Sequence, residues 1–235
     1  MDEVYPYAPP PSGLQFVQET VKRCTSFVSV QTGTETRALD MGCAVGRSSL
    51  ELSKYFTQVI GMDFSHAFIE AAQNMANTGE MQYTSLVTGN VLKERTARVP
   101  ADVNVSRVTY LQGDACDLDV DALGHFDAIF ASNLLCRLPK PRAFLAALPR
   151  LIKPGGVLAL ISPYSWLEEY TPNEEWIGGN LDPLSGEIRD SFTGISTLLQ
   201  PDFELIHRDD FPFLIREHQR KFQLGVSDGT FWRRR

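Results

Sequence analysis

The residues with the most informative chemical spacing lie between positions 37 and 65. Asp40 closes one apolar run, the loop Gly42-Cys43-Ala44-Val45-Gly46 follows it, and Asp63 ends a second apolar run beyond a helix-like stretch. Strand, glycine loop, helix and strand with a terminal acid form the opening half of a doubly wound nucleotide-binding fold. Ligands of that fold lie beyond the carboxyl ends of the strands, so we expect a nucleotide-like ligand there.

The glycine spacing distinguishes between classes of nucleotide. A dinucleotide loop requires G-x-G-x-x-G before a helix that faces a pyrophosphate. Here Ala44 takes the middle position and Arg47 the last one, which leaves D-x-G-x-x-x-G and disfavours an NAD-dependent oxidoreductase. This variant resembles the loop of class I S-adenosylmethionine (SAM) methyltransferases. An ordinary strand-to-helix turn, with Asp63 capping the next helix, is the alternative.

The methyltransferase resemblance implies a set of cofactor contacts. The loop backbone would pass the methionine part of the cofactor, and Asp63 would accept hydrogen bonds from both ribose hydroxyls, which suits one carboxylate. Asp114, after Gly113, would take the adenine amino group while the backbone of Ala115 meets the ring, although a plain Gly-Asp turn is the alternative. The implied cofactor-binding residues are Asp40, Gly42, Cys43, Ala44, Gly46, Asp63, Phe64, Gly113, Asp114, Ala115 and Ser132.

Length and composition narrow the class of protein. At 235 residues and 43% hydrophobic, the chain suits one well-buried α/β domain. A net charge of −7 argues against a general binder of nucleic acid or anionic membranes. The four cysteines form no C-x-x-C pair and the histidines lack ligand spacing, so we expect neither disulfides nor a metal. With no membrane-length apolar run and no secretion signal, a cytoplasmic protein is expected.

The pattern of apolar runs predicts the architecture. We expect a Rossmann-like class I methyltransferase fold, with a mostly parallel seven-stranded sheet, helices on both faces and an antiparallel C-terminal hairpin. Residues 1–13 would be a flexible or lid-forming lead-in, and residues 14–235 a single domain with inserts at about 78–106 and 163–200. The first insert is polar with weak periodicity and is expected to be a loosely held excursion.

Two further stretches suggest substrate contacts. The segment from Pro163 to Gly179 carries two tryptophans, two tyrosines and several acids, which predicts a lid or pocket wall over a flat, polar substrate. A second small core against the sheet is the alternative. The charged stretch 212–221 is expected to bend between the last two strands and to offer a guanidinium to a substrate carboxylate. A solvated turn is the alternative there.

Five stretches carry a narrower resemblance: ALDMGCAVGRSSLEL, VIGMDFSHAFIEAA, ASNLLCRL, SPYSWLEEYTPNEEWIGG and DFPFLIREHQRKFQLGVSDGTFWRR. Together they resemble the 4-mercaptohistidine (5-thiohistidine) N1-methyltransferase family of ovothiol biosynthesis. That family occurs as the C-terminal domain of a larger thiohistidine-forming protein and also as a stand-alone chain. The last two stretches are long and idiosyncratic, so they carry most of the weight. Ala44 departs from the general methyltransferase loop but agrees with this family.

The resemblance implies methyl transfer from SAM to the side-chain-proximal imidazole nitrogen of 5-thiohistidine, giving ovothiol A and S-adenosylhomocysteine (SAH). Positioning should supply most of the rate. The substrate's sulfur is the softer nucleophile, so the pocket must direct the nitrogen at the methyl group. That nitrogen attacks only if the ring proton rests on the other nitrogen. Asn133, Tyr164 and Glu168 are the candidate catalytic residues that would orient the ring.

The remaining expectations concern substrate and partners. Arg216 and Arg220 would bind the amino-acid carboxylate and Glu217 its ammonium group. The candidate substrate-binding residues are Asn133, Arg137, Tyr164, Trp166, Trp176, Arg216, Glu217 and Arg220. A thiohistidine-forming enzyme, fused or acting earlier, is the expected partner. The alternatives are a SAM-dependent methyltransferase for another small amino acid or imidazole, and a non-catalytic SAM-binding module serving a partner enzyme.

Overall fold

A computed structural model describes residues 11–29, 33–182 and 184–235. The strands are β1 (Arg37–Met41), β2 (Gln58–Asp63), β3 (Glu80–Thr88), β4 (Val91–Arg98), β5 (Val108–Gln112), β6 (Phe126–Ser132), β7 (Ile152–Ser162), β8 (Asn180–Leu181), β9 (Ile188–Arg189), β10 (Phe203–His218) and β11 (Lys221–Arg234). The α-helices are α1 (Phe16–Thr25), α2 (Arg47–Leu52), α3 (His66–Thr78), α4 (Val120–Leu123), α5 (Pro141–Leu151) and α6 (Ser191–Leu199). Short 3₁₀ helices cover Pro11–Leu14, Val105–Arg107, Leu135–Arg137 and Asn173–Glu175. Most of the predicted lead-in, residues 1–10, lies outside the described residues.

The main sheet has seven strands in the order β10-β11-β7-β6-β1-β2-β5. The five strands from β7 to β5 are parallel, and β11 and β10 are antiparallel additions at one edge. The predicted fold class is therefore confirmed. The chain runs outward from β1 to β2 and β5, then returns to β6 on the other side of β1. This reversal creates the crevice between β1 and β6 in which doubly wound sheets bind ligands.

Burial on both faces explains why the central strands read as continuous apolar sequence. In β6, Ile129 packs into a core cluster that includes α5 and α6, and the next residue, Phe130, packs into a cluster that includes α1. Successive side chains of a strand point to opposite faces, so both residues are fully buried. None of the helices in the described ranges is long and apolar enough to cross a membrane.

The helix after β2 begins and ends where the sequence indicates. The Ser65 hydroxyl accepts a hydrogen bond from the Phe68 amide at 3.3 Å, and the left-handed Gly79 closes α3. Ser65 is therefore the helix cap, and Asp63 remains available for another role.

The insert at 78–106 is more ordered than predicted. It forms the antiparallel pair β3–β4, a sheet of its own that contacts α3 and β10. The prediction of a loosely held excursion is wrong in this respect. Neither face of the hairpin is fully buried, so the alternation of apolar and polar residues that marks a strand is weak here.

The C-terminal hairpin is longer than predicted. Only residues 228–233 of β11 pair with β7, so both hairpin strands continue past the carboxyl end of the parallel sheet. The predicted charged bend at 212–221 is much shorter than expected, because β10 extends to His218 and Pro212 pairs opposite Val226, which leaves Gln219 and Arg220 as the turn. An edge strand tolerates proline because one of its sides has no neighbouring strand. The extension packs on α1, where the Phe16 and Phe213 ring centroids are 5.4 Å apart.

Candidate active site

A cavity of about 210 Å³ lies at the carboxyl ends of β1, β2 and β5. Its lining combines backbone of the glycine loop, two carboxylates and an apolar wall from the segment after β6. The lining residues are Met41, Gly42, Met62, Asp63, Phe64, Gly113, Asp114, Ala115, Leu134, Arg137, Leu138 and Pro139. Of the predicted cofactor residues, Gly42, Asp63, Phe64, Gly113, Asp114 and Ala115 are in this set.

The glycine loop lies close to its neighbours at both ends. Gly42 has a φ of 75°, and a Cβ there would approach the Leu134 Cδ1 atom to 2.9 Å. Its amide and that of Cys43 donate to the Met62 carbonyl at 2.8 and 3.0 Å. Gly46, with a φ of 88°, precedes α2. Only glycine fits the first position, because a side chain would be both strained and obstructed.

Asp63 is fixed by two backbone donors. Its Oδ2 atom accepts from the Ala44 amide and its Oδ1 atom from the Ser65 amide, each at 2.9 Å. Each carboxylate oxygen keeps a further lone pair, and the residue lines the cavity. This oriented pair of acceptors fits a ligand with two neighbouring hydroxyls, such as a ribose.

Asp114 and Phe64 fit the other part of a nucleoside. The Asp114 Oδ1 atom accepts from the Cys116 amide at 2.8 Å, while no described residue donates to Oδ2. That oxygen can accept from an amino group. Phe64 is 71% exposed and offers an apolar ring to the same cavity. The donor and acceptor set therefore suits the adenosine part of SAM.

Asp40 does not line the cavity, so its place in the predicted cofactor set is corrected here. It is 1% exposed, and its Oδ2 atom accepts from the hydroxyls of Ser48 and Ser49 at 2.6 and 2.5 Å. Burial raises the pKa of Asp40 to about 6. The residue supports the start of α2 from behind the loop. The other predicted cofactor residues outside the lining are Cys43, Ala44, Gly46 and Ser132.

Backbone strain marks the ends of three central strands. Ala44, Asn133 and Tyr164 are the described non-glycine residues with positive φ, at 46°, 53° and 51°. They follow β1, β6 and β7 within three residues. Such conformations are costly and persist where the surrounding structure holds them, often at functional sites. All three lie beyond the carboxyl ends of neighbouring strands of the sheet.

Asn133 is held by two contacts. Its amide donates to the Ile161 carbonyl at 2.8 Å, and its Oδ1 atom accepts from the Ser227 hydroxyl at 2.8 Å. Ser227 lies in β11 and is fully buried. Ser227 could not be predicted from the sequence, because its proximity to β6 depends on how far the hairpin extends.

Tyr164 belongs to a short polar chain. Its hydroxyl donates to Asp228 Oδ2 at 2.8 Å, and Arg208 Nε donates to Asp228 Oδ1 at 2.9 Å. Burial, together with the Asp228 carboxylate, raises the pKa of Tyr164, so its hydroxyl stays protonated. Since the proton is directed at Asp228, the phenolic oxygen can only accept from a ligand. Asp228 and Arg208 were not predicted either; Asp228 lies in one of the distinctive stretches, whereas Arg208 lies outside them.

Arg137 lines the cavity, but its guanidinium is already bound. Nη1 donates to the carbonyls of Ser165 and Cys136 at 2.5 and 3.0 Å, and the group lies 4.9 Å from the Tyr170 ring centroid. Arg137 thus links the segment after β7 to the residues that follow β6. The guanidinium of Arg137 therefore has a structural role and is not free to bind a substrate.

The tryptophans form a small core, so the predicted substrate lid is wrong for them. Trp166 is 7% exposed and donates to the Ser191 hydroxyl at 2.9 Å, and Trp176 donates to the Thr171 carbonyl at 2.8 Å. Their rings stack with centroids 6.5 Å apart. The α6 helix, which was not predicted from the sequence, contributes Ser191 to the Trp166 contact and packs in the same core cluster, in which Trp166 is buried and Trp176 partly buried.

The remaining charged candidates are not brought to Asn133. Glu168 is exposed and accepts from Asn173 Nδ2 at 2.5 Å. Arg216 and Arg220 are exposed near the hairpin turn, and Glu217 is paired with Lys221 at 2.5 Å. In the hairpin register Arg216 lies six positions past the level of Asp228, roughly 20 Å along a strand, and Glu217 and Arg220 lie farther still.

Other features of the described part of the chain do not offer a better site. No group of three or more His, Cys, Asp or Glu residues within it could hold a metal ion. A larger cavity of about 370 Å³ lies beside α6, lined in part by Arg142, Trp176 and Asp190. It shares no lining residue with the smaller cavity, which combines the glycine loop with two oriented carboxylates.

Residues 39–160 match the family model described as a methyltransferase domain. The chain belongs to this methyltransferase domain family. It is a SAM-dependent methyltransferase domain, and SAM is its cofactor. The fit of Asp63, Asp114 and Phe64 to a nucleoside agrees with this assignment.

Individual relatives of this methyltransferase domain are distant. "Methyltransferase GfsG" from Streptomyces halstedii is 23% identical over 91% of this chain, which spans 63% of GfsG, less than two thirds of its length. Magnesium protoporphyrin IX methyltransferase from Synechocystis PCC 6803, solved with SAM and with SAH, shares the fold with a TM-score of 0.56 in the SAM complex, at 17% identity over 94% of this chain and 81% of that one. A structure from work on the conversion of a disulfide bond into a thioacetal group in echinomycin biosynthesis has a TM-score of 0.58, at 16% identity over 97% and 85%.

Proposed function

We propose that this methyltransferase transfers a methyl group from SAM to the side-chain-proximal imidazole nitrogen of 5-thiohistidine, giving ovothiol A and SAH. The observation that carries the proposal is the meeting of three sequence stretches at the ends of β6 and β7. Tyr164, from the stretch SPYSWLEEYTPNEEWIGG, binds Asp228 from the last stretch. Ser227, beside Asp228, binds Asn133 from ASNLLCRL. Residues from three of the stretches that carry the family resemblance are thus in contact, and Leu134, which follows Asn133, lines the cofactor cavity.

The cofactor would be held by the residues that line the cavity. Asp63 would accept from the ribose hydroxyls, Asp114 from the adenine amino group, and Phe64 would cover the ring. When bound, SAM supplies a methyl group activated by sulfonium charge: the acceptor's lone pair forms the new N–C bond, and the S–C bond breaks with its electrons left on sulfur. The protein would contribute mainly by placing the acceptor nitrogen in line with that S–C bond.

Tyr164 would select the reactive form of the ring. Its oxygen can accept from the ring N–H that lies distal to the side chain, because its own proton is donated to Asp228. Fixing the proton there leaves the proximal nitrogen with a free lone pair. The cationic ring that results is balanced by the substrate's thiolate, so the transfer step needs no general base. The exposed Glu168 is therefore not required.

The context of the reaction follows from the same proposal. Residues 14–235 would act as one domain, with the inserts at 78–106 and 163–200 as parts of it. A thiohistidine-forming enzyme, fused or separate, would supply the substrate. The four cysteines are unpaired, which supports a reducing, cytoplasmic setting.

A turnover assay tests the proposal. SAM is offered with 5-thiohistidine and with histidine in parallel, and the new methyl group is located by mass spectrometry and NMR. We expect methyl on the proximal nitrogen of 5-thiohistidine and little on histidine. If SAM binds but neither compound is methylated, the substrate assignment is wrong and the family assignment stands. Equal methylation of both would favour a broader imidazole methyltransferase.

A further inference from the structure

We propose that Asn133, oriented by Ser227, binds the sulfur of the methyl acceptor and so directs methylation to nitrogen. This inference rests on the proposed function and deepens it, because it assigns a residue to the choice between two nucleophiles of one substrate. Ser227 is the positioning residue, and Asn133 is the residue that would touch the substrate.

The conformation of Asn133 leaves its side chain little freedom. Its positive φ is held by the hydrogen bond from its amide to the Ile161 carbonyl, at 2.8 Å. The Ser227 hydroxyl then fixes the amide plane by donating to Oδ1, also at 2.8 Å. A strained backbone with an oriented side chain at a strand end is an arrangement that a ligand contact explains.

The orientation of the amide decides what it can offer. Since Oδ1 is bound to the Ser227 hydroxyl, the Nδ2 group of the same amide points away from that hydroxyl. No described residue accepts a hydrogen bond from Nδ2, and Nδ2 is not among the side-chain atoms that are both sealed from solvent and unpartnered. Asn133 therefore has an N–H donor that no described residue uses, and the next residue in the chain, Leu134, lines the cofactor cavity.

The substrate has a matching edge. In 5-thiohistidine the sulfur is attached to the ring carbon next to the distal nitrogen. The proximal nitrogen lies on the other side of the ring. A thiolate accepts hydrogen bonds, and the distal N–H donates one. The Asn133 donor and the Tyr164 acceptor would bind this edge together, which turns the proximal nitrogen outward.

Binding the thiolate also addresses the problem of selectivity. A thiolate is a strong nucleophile, and an amide N–H donated to it holds it in place and stabilises its charge. Sulfur methylation would follow the same bond changes as nitrogen methylation, with the sulfur lone pair forming the new bond. The two outcomes differ only in which atom, sulfur or nitrogen, lies in line with the S–C bond that breaks in SAM.

The test compares three variants by the ratio of S-methyl to N-methyl product, measured by NMR and mass spectrometry. Ser227→Ala releases the amide, and Asn133→Asp replaces the donor by a carboxylate that repels the thiolate. Thr230→Val is the matched control, because Thr230 is another buried hydroxyl of β11, bonded to the Leu160 carbonyl at 3.1 Å. Calorimetric binding of 5-thiohistidine to the SAH complex gives a second measurement that is independent of turnover.

We expect the S-methyl fraction to rise about tenfold in Ser227→Ala and further in Asn133→Asp, as for one lost hydrogen bond. Thr230→Val should keep the wild-type ratio. Asn133→Asp should weaken binding of 5-thiohistidine by about tenfold or more and leave SAH binding unchanged. An unchanged ratio in both site variants, or an equal rise in the control, would overturn the inference. A wild-type protein that methylates no 5-thiohistidine would refute the proposed function instead, and the inference with it.

Discussion

The hydroxyl of Tyr164 donates to the Asp228 carboxylate at 2.8 Å, across a separation of 64 residues in the chain. The carboxylate also binds Arg208, so it connects the segment after β7 to both strands of the C-terminal hairpin. We expect Asp228→Asn to lower kcat/KM for the methyl acceptor by about tenfold to hundredfold, the scale of a hydrogen bond to a charged group. SAH affinity, measured by calorimetry, should stay the same.

Two further variants separate this hydrogen bond from a general effect of charge. Asp210→Asn removes an exposed carboxylate opposite Asp228 in the hairpin register and should leave kcat/KM unchanged. Tyr164→Phe removes the other partner. Because the two residues act as one unit, the double variant should be no worse than the more damaged single variant. Fully additive losses would contradict a shared role.

Asp63 provides a test of the cofactor cavity. Asp63→Asn replaces one of the two acceptors that face the cavity by a donor. We expect the Kd for SAH to rise by about tenfold to hundredfold in isothermal titration calorimetry. Asp121→Asn is the matched control, because that carboxylate is exposed on α4. Unaltered SAH affinity in Asp63→Asn would show that the carboxylate does not bind the cofactor.

Gly46 tests the packing of the loop against the sheet. A Cβ at Gly46 would lie 2.4 Å from the Tyr110 hydroxyl oxygen, at a φ of 88°, whereas a Cβ at Gly79, with a φ of 79°, meets nothing within 4 Å. Gly79→Ala therefore measures strain alone, about 1 kcal/mol. Gly46→Ala should cost about 2 kcal/mol more because of overpacking. Urea unfolding of both variants measures the difference, and equal losses would mean that the loop can move aside.

The buried Asp40 predicts a dependence of stability on pH. Burial raises its folded-state pKa to about 6, above the ordinary value of 3.8. Its stabilising contribution is therefore complete below that ordinary value and is lost as the pH rises through about 6. Relative to Asp40→Asn, wild type should lose about 1 kcal/mol of unfolding free energy between about pH 5 and about pH 7. A difference that is constant with pH would mean that Asp40 does not titrate in this range.

The parallel half of the fold could be predicted from the sequence because its signals are local. The loop after Asp40 and the acid at Asp63 end β1 and β2, which are mostly buried, and the Gly113-Asp114 pair follows the edge strand β5, in which Tyr110 is buried. The end of an apolar run predicts the end of a strand, and the cofactor residues lie at the strand ends. All six predicted cofactor residues that line the cavity lie within two positions of these strands or of the acids that follow them.

The substrate side was harder to predict because its contacts are made between distant segments. Trp166 and Trp176 looked exposed because α6 was not recognised from the sequence; in the structure Trp166 is buried and Trp176 is partly buried in the core cluster that includes α6. Ser227 and Asp228 reach Asn133 and Tyr164 through hairpin register, which depends on tertiary pairing. Arg216 and Arg220 carry the right charge, but the unexpected length of β10 and β11 takes them away from the site.

A crystal structure of the protein with SAH and 5-thiohistidine is the most direct test of the central claim. We expect the imidazole ring at the ends of β6 and β7, with its sulfur and distal N–H at about 3 Å from Asn133 Nδ2 and the Tyr164 oxygen. The proximal nitrogen should face the cofactor sulfur. A ring bound at the hairpin tip or in the cavity beside Arg142, without contact to Asn133 or Tyr164, would contradict the account.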